Sequence, residues 1–462
     1  MKMRQILRRC AILLTVGALM ACPLSSGASY SLPSSVELTA QAALIAYLEP
    51  TVTGAEEAVN GRDMLLYEKE PDRELDPAAT VRILVGLYAM RLIEENGVDI
   101  DQATGTYTDT LEQNHIWGTG LSLANMEIGE TWTVRDLLSV SMIQTAADAC
   151  VTLAQALSGS VDLFVLGMNR YAEEIGCTHS HFVNVHGLDD PRQYTTVRDM
   201  YRILRYALEY PLLSQMLGAS EYTVTPVSGG SERSWENTNY MLRGSSDYYY
   251  APLVLGKTGV SETDGASLAS VAESDGYRYL AVVLGCPADE GGSHYANSRK
   301  LYQWAFGNFE IKTVLAKNQP VDRLPVSLAW NIDSVTLCAK ESLSCLVADE
   351  VDISGIRTVV IPLQESLEAP VEKGTVLGKV ELYLRLDEKI GEVELVAGET
   401  VSRSEILYVW KQIADFFASP WFWMIAGILL LLLAGYVLLA ILHNREKKRR
   451  VNRRPRQYKP MK

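Results

Sequence analysis

The stretch LVLGKTGVSETDGASLAS, residues 253–270, decides the fold. Val, Leu, Thr and Ser dominate LVLGKTG and GASLASVAE, and glycines and acidic residues break the chain between them, so both read as strands. The next run, YRYLAVVLG (277–285), reads as a third strand. Ser274-Asp275-Gly276 before it is a hairpin turn, because Asp and Gly accept the left-handed backbone such turns need. Three consecutive strands therefore form an antiparallel meander. Its first strand carries Lys257-Thr258-Gly259, which offers a cation for a carboxylate, a hydroxyl, and a glycine that admits close backbone approach. A K-T-G tripeptide alone is common; its position on an edge strand is what gives it weight.

Outward from this sheet the pattern mixes helices and strands between about 34 and 309. ATVRILVGLYAMRLIEENG (79–97) has apolar residues at helical spacing and stops at Gly97. TVRDLLSVSMIQTAADACVTLAQALSG (133–159) reads as one helical stretch, and VDLFVLGMNRYAEEIG (161–176) as another closed by Gly176. AALIAYLE (42–49) reads as helix and DMLLYEKE (63–70) as a short strand. From 311 to 399 helical periodicity vanishes. Short runs such as SVTLCA, RTVVIPL, KVELYLR and GEVELVA, separated by Gly, Pro and charge, predict a small all-β domain.

The ends carry their own signals. Residues 1–28 have a basic start, an apolar run and small residues, and read as a signal peptide with Ser26-Gly27-Ala28 at the cleavage site. Lipidation at Cys22 is the alternative. WFWMIAGILLLLLAGYVLLAIL (421–442) holds no charge and is long enough to span a bilayer, giving a transmembrane helix over 420–442. The tail, 443–462, holds ten Lys/Arg and one Glu. Net charge is −14 overall, so the body between the basic ends is strongly acidic, which argues against nucleic-acid binding. The positive-inside rule places the tail in the cytoplasm and the body outside. SEILYVWKQIADFF, within an amphipathic segment at 402–418, reads either as a helix lying on the outer membrane surface or as a linker helix. Cys338 and Cys345 are spaced to pair across a hairpin or to stay buried as thiols. No cysteine or histidine grouping has metal-ligand spacing, and no cofactor is expected.

Five blocks in order carry a specific resemblance: LLYEKEPDRELDPAATVRIL (65–84), TVRDLLSVSMIQTAADACVTLA (133–154), HFVNVHGLDDPRQYTTVRDM (181–200), WENTNYML (235–242) and LGKTGVSETDGASLAS (255–270). In sequence and spacing they resemble the D-alanyl-D-alanine carboxypeptidases, the low-molecular-mass penicillin-binding serine peptidases. APVEKGTVLGKVELYL (369–384) resembles the β domain that follows in that family. The resemblance implies an α+β penicillin-binding, serine β-lactamase-like transpeptidase domain at 34–309, then the β-rich domain at 311–399. It implies a site at the sheet edge that acts on the D-Ala-D-Ala end of peptidoglycan stem peptides.

That family uses a serine with a lysine three residues later, on one helix face, the lysine taking the serine proton. Here the serine position holds Ala79 and the lysine position Arg82. An alanine has no nucleophilic atom, and an arginine stays protonated at physiological pH. The second motif, Ser-x-Asn, becomes Thr145-Ala146-Ala147, which keeps a hydroxyl at Thr145 and loses the amide at Ala147. Only the third motif, Lys257-Thr258-Gly259, is whole. No Ser or Thr in the chain has a lysine three residues on. The expectation is therefore a non-catalytic relative that binds stem peptides or scaffolds other cell-wall proteins. In it Lys257, Thr258 and Thr145 hold a carboxylate, and the Ala79 and Val260 amides form an oxyanion-type pocket. An active carboxypeptidase with a displaced nucleophile is the alternative, and a vestigial cleft beside a working β domain is the third reading. Thr145, as a displaced nucleophile, is expected to have Arg82 for a neighbour, which is no base. His186, Asn237 and Asn239 read as structural. Tyr248-Tyr249-Tyr250 read either as strand packing or as a sugar-stacking surface.

Overall fold

The computed structural model describes residues 30–48, 58–59, 63–288, 292–349, 352–384 and 389–451. The signal peptide, Cys22 and the last residues of the basic tail lie outside them. The chain divides into two compact units, 1–314 with 344–355, and 315–343 with 356–462.

In the first unit, five strands form one sheet in the order β2-β1-β5-β4-β3. These are β1 (Ala42–Tyr47), β2 (Met64–Lys69), β3 (Leu253–Ser261), β4 (Gly265–Ser274) and β5 (Tyr277–Cys286). All four pairings are antiparallel. The meander is as predicted: Tyr277 faces Ser274 across a turn in which Asp275 and Gly276 both have positive φ. K-T-G lies on β3, the edge strand.

β1 is a correction, because AALIAYLE is predicted helical. All six residues of the strand are buried, with Ala42, Leu44 and Ala46 in one core and Ala43, Ile45 and Tyr47 in the other. A strand covered on both faces has no polar alternation to betray its period, so a short apolar run reads equally well as helix.

On one face of the sheet pack α1 (Arg82–Asn96), α2 (Val134–Ile143), α3 (Ala147–Ser158), α4 (Val161–Glu174) and α5 (Val197–Ala207). α6 (Ser293–Asn308) covers the other. α1 ends at Gly97 in the left-handed conformation (φ 63°), as a helix C-terminus prefers. The stretch read as one helix over 133–159 is two. α2 stops at Ile143 and α3 starts at Ala147, with Thr145 between them at φ 61°. A β-branched residue in that region is a genuine backbone outlier, of a kind found at functional sites.

The second unit holds β7 (Pro320–Ser327), β8 (Ser334–Ala339), β10 (Arg357–Pro362), β11 (Leu367–Glu368), β12 (Val376–Tyr383) and β13 (Lys389–Ala397). They form a six-stranded sheet in the order β10-β12-β13-β8-β7-β11. The intervening β9 (Leu343–Ala348) joins a different sheet, with β6 (Phe309–Leu315) and Ala58–Val59. Cys338 on β8 and Cys345 on β9 are both buried, with no disulfide between them. In this same unit α7 (Glu405–Ala418) leads into α8 (Pro420–Val451), of which 28 residues, Pro420–Lys447, are long and apolar enough to cross a membrane. Ile406, Val409, Trp410, Ile413, Phe416 and Phe417 make an exposed apolar face along α7.

Candidate active site

Ala79 lies in a one-turn 3-10 helix, Ala78–Val81, immediately before α1. Two backbones close on this turn. β3 passes at Gly259, where an added Cβ would stand 2.7 Å from the Ala79 nitrogen and 2.9 Å from that of Thr80. The loop after Val185 passes at Gly187 (φ 81°), where an added Cβ would stand 2.3 Å from the Ala78 oxygen. Gly259 is therefore required by the strand's own approach to position 79. Asp76 adds a cap: its carboxylate accepts from the Ala78 amide at 2.6 Å. Burial, with Asp189 and Asp264 nearby, pushes Asp76 up to about 6 despite that bond.

Lys257 is 1 % exposed. Its Nζ donates to Thr145 Oγ1 at 2.5 Å and lies 3.4 Å from Thr238 Oγ1. The two threonine hydroxyls are 2.7 Å apart. The second and third motifs thus meet at a side-chain hydrogen bond, and Thr238 completes the cluster. Thr238 was missed in the sequence, although WENTNYML was singled out; its flanking asparagines drew attention instead. Those are structural: Asn237 bonds the Ala219 oxygen and the Asn239 amide, and Asn239 accepts from the Met241 amide. Thr258 is buried, and Val260 is 62 % exposed at the open end of the strand.

Arg82 is fully buried. Its guanidinium donates to the His186 carbonyl from Nε (3.2 Å) and Nη2 (3.0 Å), and to the Ser141 carbonyl from Nη1 (3.3 Å). It pins α1 to the end of α2 and to the His186 loop. Among the described residues neither Arg82 nor Lys257 has a carboxylate in ion-pair range. Burial lowers the pKa of Arg82, while Cys150 and Asp148 pull the other way. Burial, then the charge of Arg82, holds Lys257 well below the ordinary lysine range. Thr145 thus has Lys257 as a hydrogen-bond partner.

Around these groups, Cys150 of α3 donates to the Val185 carbonyl at 3.1 Å and is pushed up to about 11 by burial. His186 is buried and held down at about 3 by burial and by Arg82, so it is neutral. Its Nδ1 accepts from the Leu188 amide at 3.2 Å, a loop-shaping bond that agrees with a structural role. Ala147 is a buried residue of the first turn of α3, and its amide is taken by the Ser122 carbonyl. Tyr248 packs on Tyr295 at 4.9 Å and Tyr250 stacks on Tyr302 at 6.1 Å, while Tyr249 stays exposed. No group of His, Cys, Asp and Glu suited to a metal ion occurs among the described residues.

Comparison with known proteins gives the family. A family model described as D-alanyl-D-alanine carboxypeptidase matches residues 58–288, and one for the C-terminal domain of penicillin-binding protein 5 matches 309–403. The D-alanyl-D-alanine carboxypeptidase DacF of Bacillus subtilis is 25 % identical over 350 residues, covering 75 % of this chain and 85 % of its own. DacC of Escherichia coli is 26 % identical over 366 residues, covering 75 % and 87 %. The crystal structure of penicillin binding protein 5 from Haemophilus influenzae shares the fold, with a TM-score of 0.58 at 24 % identity over 81 % of this chain and all of that one. The chain therefore belongs to the D-alanyl-D-alanine carboxypeptidase family of low-molecular-mass penicillin-binding proteins.

Proposed function

We propose that this protein binds the D-Ala-D-Ala end of peptidoglycan stem peptides and does not turn it over as its family does. One observation carries the reading. The site keeps its recognition elements around position 79, but position 79 is an alanine and position 82 an arginine bonded to two backbone carbonyls. Position 79 carries no nucleophilic atom, and the residue in the base position is a cation engaged in holding the fold together. Arg82 and Lys257 are both buried with no carboxylate in ion-pair range among the described residues, which suits an anionic ligand, because an incoming carboxylate offsets the charge of Arg82 and the burial that disfavours the charged form of Lys257. The edge of β3 supplies backbone groups for an extended peptide.

The chain is anchored through α8, with the body extracytoplasmic and the basic tail cytoplasmic, in keeping with the charge asymmetry across the span. A domain arrangement of carboxypeptidase-like body, β-rich domain, membrane-lying α7 and spanning helix fits a protein that holds a wall peptide close to the membrane or positions other wall proteins there. An active carboxypeptidase is the second reading, favoured by the contact between the Thr145 hydroxyl and the Lys257 amine. Titration calorimetry with a pentapeptide ending in D-Ala-D-Ala, beside an assay for released D-alanine, tests the proposal. Binding without sustained release supports it; sustained release assigns the second reading.

A further inference from the structure

We propose that Thr145 and Lys257 form a displaced acyl-accepting pair, with Thr145 Oγ1 as nucleophile and Lys257 Nζ as its base, able to react with strained cyclic amides. The inference rests on the same cleft as the proposed function and deepens it by naming the reactive atom.

Three independent features meet at Thr145. Its hydroxyl is 2.5 Å from a buried lysine amine, which is the nucleophile–base contact that hydroxyl catalysis needs. Thr238 lies 2.7 Å from the same hydroxyl and 3.4 Å from the same amine, and so fixes both. The Thr145 backbone is held at φ 61° directly before α3, whose N-cap, Ala146, supplies no side-chain cap. A strained turn that presents a hydroxyl at the positive end of a twelve-residue helix favours a developing alkoxide. Burial and the charge of Arg82 favour the neutral amine at Lys257, the form that accepts a proton. Thr145 is itself partly exposed, and the side chains that replace the family's serine and asparagine are methyl groups, so the donor meets little bulk there.

The step balances. Thr145 Oγ1 attacks the carbonyl carbon, forming the C–O bond, while the ring C–N bond breaks. The hydroxyl proton passes to Lys257 Nζ and then to the departing nitrogen, leaving an acyl-threonine ester. Ring strain in a β-lactam supplies the driving force that an ordinary D-Ala-D-Ala amide lacks. The same pocket therefore holds a stem peptide intact and is acylated by a β-lactam.

The test is intact mass of the full chain in detergent after incubation with benzylpenicillin, with the labelled peptide mapped by fragmentation. The account expects one added penicillin on Thr145. It expects a loss of label of about 100-fold or more in Thr145→Val and Lys257→Met, the usual scale of losing a nucleophile's general base, and retention in Thr145→Ser. Pentapeptide binding is measured on the unmodified protein and the melting temperature on each variant, so a failed cleft or fold is told apart from a missing nucleophile. A native protein that gains no mass, or is labelled elsewhere, overturns the proposal. Label that persists in Thr145→Val does the same.

Discussion

Replacing Gly259 by alanine places one methyl where the structure has no room. The added Cβ would lie 2.7 Å from the Ala79 nitrogen, 2.9 Å from the Thr80 nitrogen and 3.0 Å from the Ala78 Cβ. None of these is the end of a flexible side chain, and the turn they belong to is gripped from its other side by Gly187. Either β3 or the 78–81 turn must move. Overpacking of this kind costs about 1–3 kcal/mol. At about 2–4 °C per kcal/mol for a domain of this size, the melting temperature falls by roughly 2–12 °C. Gly259 is not at positive φ, so the effect is steric and carries no contribution from backbone strain. Gly307 in α6 is the control: nothing lies within 4 Å of its added Cβ, so Gly307→Ala leaves stability unchanged or slightly raised. Differential scanning calorimetry of both variants reads the difference, and pentapeptide affinity falls in the first alone. A Gly259→Ala protein that melts with the unmodified chain refutes the packing of β3 on position 79, and with it the geometry of the site.

Arg82→Lys removes a fork that reaches two carbonyls and substitutes one ammonium, leaving Ser141 or His186 without its donor. The expected loss is about 1–3 kcal/mol in chemical denaturation. Asp76 gives a pH signature. Its folded pKa of about 6 stands above the unfolded value of 3.8, so its ionisation opposes folding above pH 6 and that cost vanishes as pH drops below 3.8. Asp76→Asn therefore stabilises by up to roughly 3 kcal/mol at pH 7 and by nothing near pH 3.5, as melts at the two pH values will show. For topology, a protease added to intact cells leaves the basic tail whole and digests it only after the membrane is opened.

The meander was legible because turn chemistry marks the break between its strands: Asp275 and Gly276 accept the positive φ that the hairpin needs. Gly97 stopped its helix for the same local reason. The failures have a common cause in tertiary burial. β1 lost its period because both its faces are covered, and the break at Thr145 is invisible in a stretch whose apolar spacing runs on through it. Which residues stand at positions 79, 82 and 147 was readable, since these are identities. What Arg82 does instead was not, because its acceptors are backbone carbonyls 59 and 104 residues away. Thr238 as a third member beside Thr145 and Lys257 was equally hidden, because it lies in a separate block and only the fold brings it there.

One measurement bears most directly on binding without turnover: calorimetric titration of the full chain with a D-Ala-D-Ala-terminated pentapeptide, with free D-alanine followed in the same sample over hours. The account predicts a saturable binding isotherm and no more than one equivalent of D-alanine per protein. Continued release through many equivalents contradicts it by showing a working carboxypeptidase, and the absence of any binding contradicts it by showing an empty cleft.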